Sequence, residues 1–254
     1  MICRHPTQGQ KLDVAGLNEI TVLIDRSETE LTEVAMNSWS PGLDGPPHAH
    51  DQKEQNFLVT SGRGEVVIGA DRFPAAPGDL FYVPAGVVHQ TINLNKDQRL
   101  VYFLFNAFLD AGKEGHASFA DHIAKVKHVR RQQADEQKAG VPGGTAPGTR
   151  RRGAKSVLPG PGPAATTLIK RSETTRCEAL AWHLAAGSGA TIPADAHKEQ
   201  TLFVHSGTGT IQIGTERAEV KAHHTLLVPR GTAGALAAGA EGLQVVSFGT
   251  VITP

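Results

Sequence analysis

Paired cysteines, long apolar runs and net charge are all missing from this chain. Cys3 and Cys177 are its two cysteines and stand far apart, which excludes a disulfide framework and fits a reducing compartment. No apolar stretch approaches the ~20 residues that a helix needs to span a bilayer. The opening MICRHPTQGQ lacks the apolar core of a secretion signal, so the expected location is cytoplasmic. Lys plus Arg number 25, as do Asp plus Glu, for a formal charge of +0. That balance provides no field for nucleic acid or an anionic membrane surface. Neither is expected as a partner. A small molecule is, and a homo-oligomer stays open.

What the chain does have is a repeat. Set without gaps, residues 23–89 lie over 168–234, with roughly twenty of about 67 positions identical. LIDRSET at 23–29 matches LIKRSET at 168–174, KEQ at 53–55 matches KEQ at 198–200, and SGRG at 61–64 matches SGTG at 206–209. A repeat of domain size implies duplicated domains. With 254 residues, two units of about 90–110 residues each can bury their own cores. Strand-like runs at 20–25, 32–39, 56–60, 65–68, 80–83, 87–92 and 100–106 recur in the second copy at 168–170, 178–184, 201–205, 210–213, 225–228 and 243–248. Many short strands between Gly-, Pro- and Asp-rich loops predict an all-β chain of closed sandwiches or barrels. Residues 100–106 are apolar on both faces, so both are expected to be covered.

The first copy carries the chemistry. His48 and His50 are two apart, so in a strand both aim their imidazoles at one point. Gln55 is five beyond His50, an odd offset. A bend or bulge in Asp51-Gln52-Lys53-Glu54 resets the phase, so that Gln55, Phe57 and Val59 share an inward face, with Phe81 and Phe103 as further inward neighbours. His89 comes from a separate strand, entered through the turn residues Pro84 and Gly86. Three imidazoles and one side-chain oxygen leave open positions on a divalent transition metal, the mark of a catalytic rather than a structural site. In the second copy His48 becomes Pro193, His50 becomes Asp195 and His89 becomes Gly234, while Gln55 persists as Gln200. Two roles for Gln55 therefore stand side by side, ligand and packing residue. Asp195, His197, His205, His223 and His224 form no convincing replacement triad.

These residues resemble the cupin superfamily. Its first motif, G-x5-H-x-H-x4-E-x6-G, reads here as Gly42, His48, His50, Gln55 and Gly62; its second, G-x5-P-x-G-x2-H-x3-N, reads as Gly78, Pro84, Gly86, His89 and Asn93. The departure is Gln55, where the family usually has a ligand Glu; Glu54 next door is turned outward by alternation. The resemblance implies a bicupin: two cupin-type β-barrels (double-stranded β-helix or jelly roll) with one intact metal site of His48, His50, Gln55 and His89. The first barrel is expected at 1–110, a helix and Gly/Pro-rich linker at 111–165, and a degenerate second barrel at 166–254.

The helix is read over about 117–138, with Phe119, Ile123, Val126 and Val129 on or near one face. His116, His122 and His128 do not share a face closely enough to hold a metal. The run Arg150-Arg151-Arg152 reads as solvated linker. Two-barrel cupins include oxygenases, decarboxylases, hydrolases and storage proteins. The reading taken is a metal-dependent, dioxygenase-like oxidoreductase acting on a small, oxygen-rich anionic molecule, its cofactor one divalent ion of Fe, Mn, Ni, Zn, Co or Cu. A redox-neutral hydrolase, isomerase or lyase and a non-catalytic ligand-binding bicupin are the alternatives. No general acid or base stands out; Tyr82, Gln90, Trp39 and Asp44 are pocket candidates with structural readings beside them.

Overall fold

The computed structural model describes residues 1–114, 116–136, 151–152 and 160–252. The chain forms two compact units, Gly9–Ala154 and Met1–Gln8 with Lys155–Pro254. The opening strand β1 (Cys3–Arg4) belongs to the second of these. The first is built from β2 (Gln10–Val14), β3 (Asn18–Ile24), β4 (Thr32–Trp39), β5 (Lys53–Ser61), β6 (Gly64–Ile68), β7 (Asp71–Ala75), β8 (Leu80–Val83), β9 (His89–Asn93) and β10 (Leu100–Phe108). The helix α1 (Phe119–Glu136) and a two-residue strand β11 (Arg151–Arg152) complete it. Its larger sheet has the order β11-β8-β5-β10-β4-β3-β2 and its smaller one β7-β6-β9. Expected residues 111–165 thus include α1 and the strand at Arg151–Arg152; most of the Gly/Pro-rich stretch lies outside the described residues.

Alternation decides which side chains enter this barrel. Phe57, Val59, Phe81, Tyr102 and Leu104 join one core with Val14, Leu17, Ile20 and Trp39. Phe103, expected inward, is fully buried but stands outside that core, because its neighbours Tyr102 and Leu104 take the inward positions. Both faces of β10 are buried, as its sequence predicts. Of the bend or bulge expected before Gln55, the structure has the bend. From Lys53 to Leu58, β5 pairs with β10 in unbroken register, Lys53 with Phe108 and Gln55 with Asn106. The phase is reset earlier, by the turn at Asp51-Gln52, before the strand begins.

The second unit contains β12 (Gly162–Ile169), β13 (Cys177–Leu184), β14 (Gly189–Ile192), β15 (Lys198–Ile213), β16 (Glu216–Lys221), β17 (Thr225–Val228) and β18 (Gly234–Val251). They run β1-β17-β15-β18-β13-β12, with β14 on β18 and β16 on β15. The segments read as 201–205 and 210–213 are one strand, β15, that continues through irregular register near Val204–Gly209. Trp182, Leu202, Val204, Ile211, Leu226, Leu236 and Val245 fill the interior.

The duplication is visible in the backbone. Gly86 N–H donates to His50 C=O at 2.9 Å, and Gly231 N–H to Asp195 C=O at 2.7 Å. Gly69 N–H donates to Val88 C=O at 2.8 Å, and Gly214 N–H to Ala233 C=O at 2.9 Å. The turn glycine Gly78 has φ +88°, and His223, which replaces it, keeps φ +74°. The second copy has therefore retained the scaffold and exchanged the side chains.

Candidate metal centre

His48 and His89 sit opposite one another in an isolated antiparallel bridge. They exchange both backbone bonds, His48 N–H to His89 C=O at 3.1 Å and His89 N–H to His48 C=O at 2.9 Å. That direct pairing brings their rings to 4.3 Å between centroids. His50, two residues on, turns its ring to the same side, 4.9 Å from His48 and 5.4 Å from His89. One ring nitrogen from each of the three lies within 4.8 Å of the others. The strand period thus does what the spacing implied: it gathers His48, His50 and His89 at one point.

Tautomer and charge suit ligation. His48 Nδ1 faces Pro46 C=O at 2.8 Å and His89 Nδ1 faces Val87 C=O at 3.1 Å. A carbonyl can only accept, so each Nδ1 carries the proton and each Nε2 lone pair is free. Burial, with lesser help from nearby cations, holds His48 and His50 well below the ordinary imidazole value and His89 at about 4. Neutral imidazoles are the ligating form.

Gln55 is buried on β5 and lines the same cavity. Its orientation follows from a chain of bonds. Asn106 Nδ2 donates to Glu33 Oε1 at 2.7 Å, and Gln55 Nε2 donates to Asn106 Oδ1 at 2.8 Å. An ionised carboxylate only accepts, so Glu33 claims the amide end of Asn106, and Asn106 then offers oxygen to Gln55. Gln55 Oε1 is left buried with no hydrogen-bond partner among the described residues. A lone buried acceptor in the cavity that three free imidazole nitrogens also line fits a cation. Glu33 also takes His116 Nε2 at 2.8 Å and Lys53 Nζ at 3.8 Å. In the second barrel Gly249 faces Gln200 where Asn106 faces Gln55. There Lys198 closes directly on Glu178 at 2.6 Å. Glu54, beside Gln55, turns away from the cavity as expected, but into a buried bond with Tyr82 rather than toward solvent.

The cavity has a volume of about 80 Å³. Its inner wall is apolar, with Ile20, Phe57 and Leu104, and one polar relay crosses it. Asn18 Nδ2 donates to Asn37 Oδ1 at 2.6 Å; Asn37 Nδ2 at 2.9 Å and Trp39 Nε1 at 3.1 Å both donate to Tyr102 Oη. Burial raises the Tyr102 pKa, so the phenol stays protonated. Trp39 is thus a cavity residue, whereas Tyr82 points elsewhere and Asp44 bridges Ile92. The other wall was not legible as part of the site. It is α1, which brings Phe119, His122, Ile123, Val126 and Arg130 to the cavity. Val129, expected near the same face, is 52% exposed. His116 and His122 stack at 4.2 Å but join no metal-ligand cluster among the described residues. Burial drives the His122 pKa down to about 2 and that of Lys53 to about 8.

Residues 37–105 match the family described as Cupin domain. An uncharacterized protein of Streptomyces coelicolor is 36% identical over 55 residues, which are 22% of this chain and 50% of that protein. The chain thus matches about half the length of this curated relative. Among solved structures, oxalate decarboxylase of Bacillus subtilis, whose description names Mn(II) centres, aligns with a TM-score of 0.70 at 13% identity, covering 100% of this chain and 78% of that one. Vicilin of hazelnut, Corylus avellana, gives 0.65 at 15% over 98% and 85%. Salicylate 1,2-dioxygenase of Pseudaminobacter salicylatoxidans gives 0.63 at 15% over 88% and 72%. These likenesses carry the fold, shared by enzymes and storage proteins alike; among the described residues no helix is long and apolar enough to cross a membrane. Residues 37–105 of the first barrel thus carry a cupin domain, and the chain as a whole has the two-barrel fold of these neighbours.

Proposed function

We propose that the first barrel holds one divalent transition metal on His48, His50 and His89, with Gln55 Oε1 as the fourth protein donor. The chain would then be a dioxygenase-like enzyme for a small, oxygen-rich anion. The observation that carries this is the cluster of three neutral imidazoles in a cavity also lined by Gln55, whose buried amide oxygen has no partner among the described residues. A divalent ion of Fe, Mn, Ni, Zn, Co or Cu bound there supplies Lewis acidity and open positions for an oxygen donor. The chain's own residues add the rest. Gln55 brings no negative charge, so the site keeps a net positive field that favours an anionic ligand. Phe57, Leu104 and the α1 residues exclude water, which strengthens that field. Tyr102 holds its proton, so it serves as a neutral donor and not as a base.

A second reading has its own observation: no Asp or Glu lines the cavity among the described residues. A site without a carboxylate base suits a module that binds or senses a small ligand. Metal analysis of purified protein, followed by oxygen uptake of the iron-loaded form over a panel of small acids and diols, tests both. Oxygen consumption tied to substrate loss supports the oxygenase; turnover without oxygen use points to a hydrolase, isomerase or lyase. Saturable binding without turnover supports the module, and a protein that retains no metal defeats the metal reading.

A further inference from the structure

The inward face of α1 carries one residue that its pattern does not call for. At about 100° per residue, Phe119, Ile123, Val126 and Arg130 fall within a stripe of about 60°. Phe119 and Ile123 are buried, and Val126 packs against the same core. Arg130 lies inside that apolar stripe and lines the cavity together with the three histidines. Its guanidinium is largely removed from water, and its charge reaches His48, His50, His89 and Lys53.

No described residue of the cavity wall balances this charge. Among the described residues no Asp or Glu lines the cavity, and Arg130 makes no ion pair. Lys53, the other cation there, has Glu33 at 3.8 Å. A desolvated guanidinium without a counter-ion is costly, and the cost is relieved when an anion binds. The planar fork of Arg matches a carboxylate with two parallel hydrogen bonds. A phosphate, more strongly hydrated and without a hydrocarbon part, gains nothing from apolar surroundings. The apolar wall of Val14, Leu17, Ile20 and Phe57 suits a hydrocarbon remainder.

We propose that Arg130 is the anion-binding residue of this cavity and that the ligand is a small carboxylate, so that α1 sets substrate choice for the barrel. This deepens the metal-site reading and rests on it for the identity of the site, yet Arg130 itself can be tested apart from the metal.

The test is calorimetric titration of the full chain, as purified and metal-loaded, with acetate, benzoate, neutral benzamide and inorganic phosphate. Metal content and melting curves are recorded on the same samples. The expected result is saturable binding of acetate or benzoate, none of benzamide, a loss of at least tenfold in Arg130→Gln, and unchanged metal content. Arg130→Lys keeps the charge but not the fork, and should lose about fivefold or more. It decides the matter if the Gln variant misfolds, and a smaller loss there overturns the proposal. Undiminished binding in Arg130→Gln overturns it too, as does preference for phosphate, or a wild type that binds neither carboxylate. Carboxylate binding that depends on Arg130 in a protein without metal would leave this inference standing and defeat the metal reading alone.

Discussion

Gln55 and Asn106 face each other across β5 and β10, and the 2.8 Å bond between their amides leaves Gln55 with a buried, unpartnered oxygen. The second barrel lacks this relationship, because Gly249 stands opposite Gln200 and the Lys198–Glu178 pair has closed up behind it. One side chain, Asn106, therefore separates a glutamine held with its oxygen free from a glutamine that merely occupies the same strand position.

Gln55→Glu tests what that oxygen is for. In the apo protein a second carboxylate would face Asn106, which cannot present its amide end to both Glu33 and the new side chain with the present geometry. Apo stability should fall by about 1–3 kcal/mol, the usual cost of a buried polar group with an unmet partner. With metal bound, the added negative charge offsets that cost, so retention against a chelator should rise above wild type. Gln55→Ala should loosen the metal modestly, since three imidazoles remain. Equal metal affinity in all three proteins, measured beside apo melts, would assign Gln55 to packing.

The histidines make a sharper case. His48→Ala with His50→Ala should abolish metal retention, and wild type should hold one ion per chain, because the second copy has Pro193, Asp195 and Gly234 at the corresponding places. Elemental analysis settles both points. Two ions per chain, or an ion that survives the double substitution, would contradict the assignment.

The sequence carried the triad plainly and its surroundings poorly, for a physical reason. His48, His50 and His89 are tied to one another by strand period and motif spacing, both local properties. The residues that aim Gln55 are not local: Asn106 is 51 positions away and Glu33 a further 73 from Asn106. Their meeting depends on sheet order, which periodicity does not encode. The α1 helix was legible as a helix, but not its place against the barrel. One signal did exist. A charged residue, Arg130, sits where the stripe of Phe119, Ile123 and Val126 asks for an apolar one, whereas Val129, about 100° away from it on the wheel, is exposed. The single strand β15 was read as two because Gly207 and Gly209 interrupt its pattern; its irregular register absorbs them.

Tyr102 provides a test of the polar relay. Its hydroxyl oxygen accepts from both Asn37 and Trp39. Tyr102→Phe would leave two buried donors without an acceptor, each costing about 1–3 kcal/mol. A loss of about 2–6 kcal/mol in denaturant unfolding is expected, with metal content unchanged because the relay touches no imidazole of the triad. A loss below about 0.5 kcal/mol would mean that water replaces the hydroxyl freely, and that the relay does not stiffen the cavity.

The pH dependence of the apo protein follows from the direction of two shifts. Burial depresses the folded pKa of His89 from 6.5 to about 4. Between those values the unfolded chain binds the proton and the folded chain does not, so unfolding stability rises with pH across this window and is lost as pH falls through it. His48, His50 and His122 shift in the same direction and add to the slope. The depression of His89 alone corresponds to about 3 kcal/mol. Lys53 behaves alike at the other end, its folded pKa lowered by burial from 10.5 to about 8. Across that window the unfolded chain again holds the extra proton, so stability contributed by this group rises from pH 8 toward 10.5. Apo melts should therefore be steeply acid-sensitive below pH 6.5 and gain on the alkaline side. Replacing Lys53 with Met should erase the alkaline gain while leaving the acid limb in place. An acid limb that persisted unchanged in His48→Ala, His50→Ala, His89→Ala would show that other groups, not the triad, carry the protons.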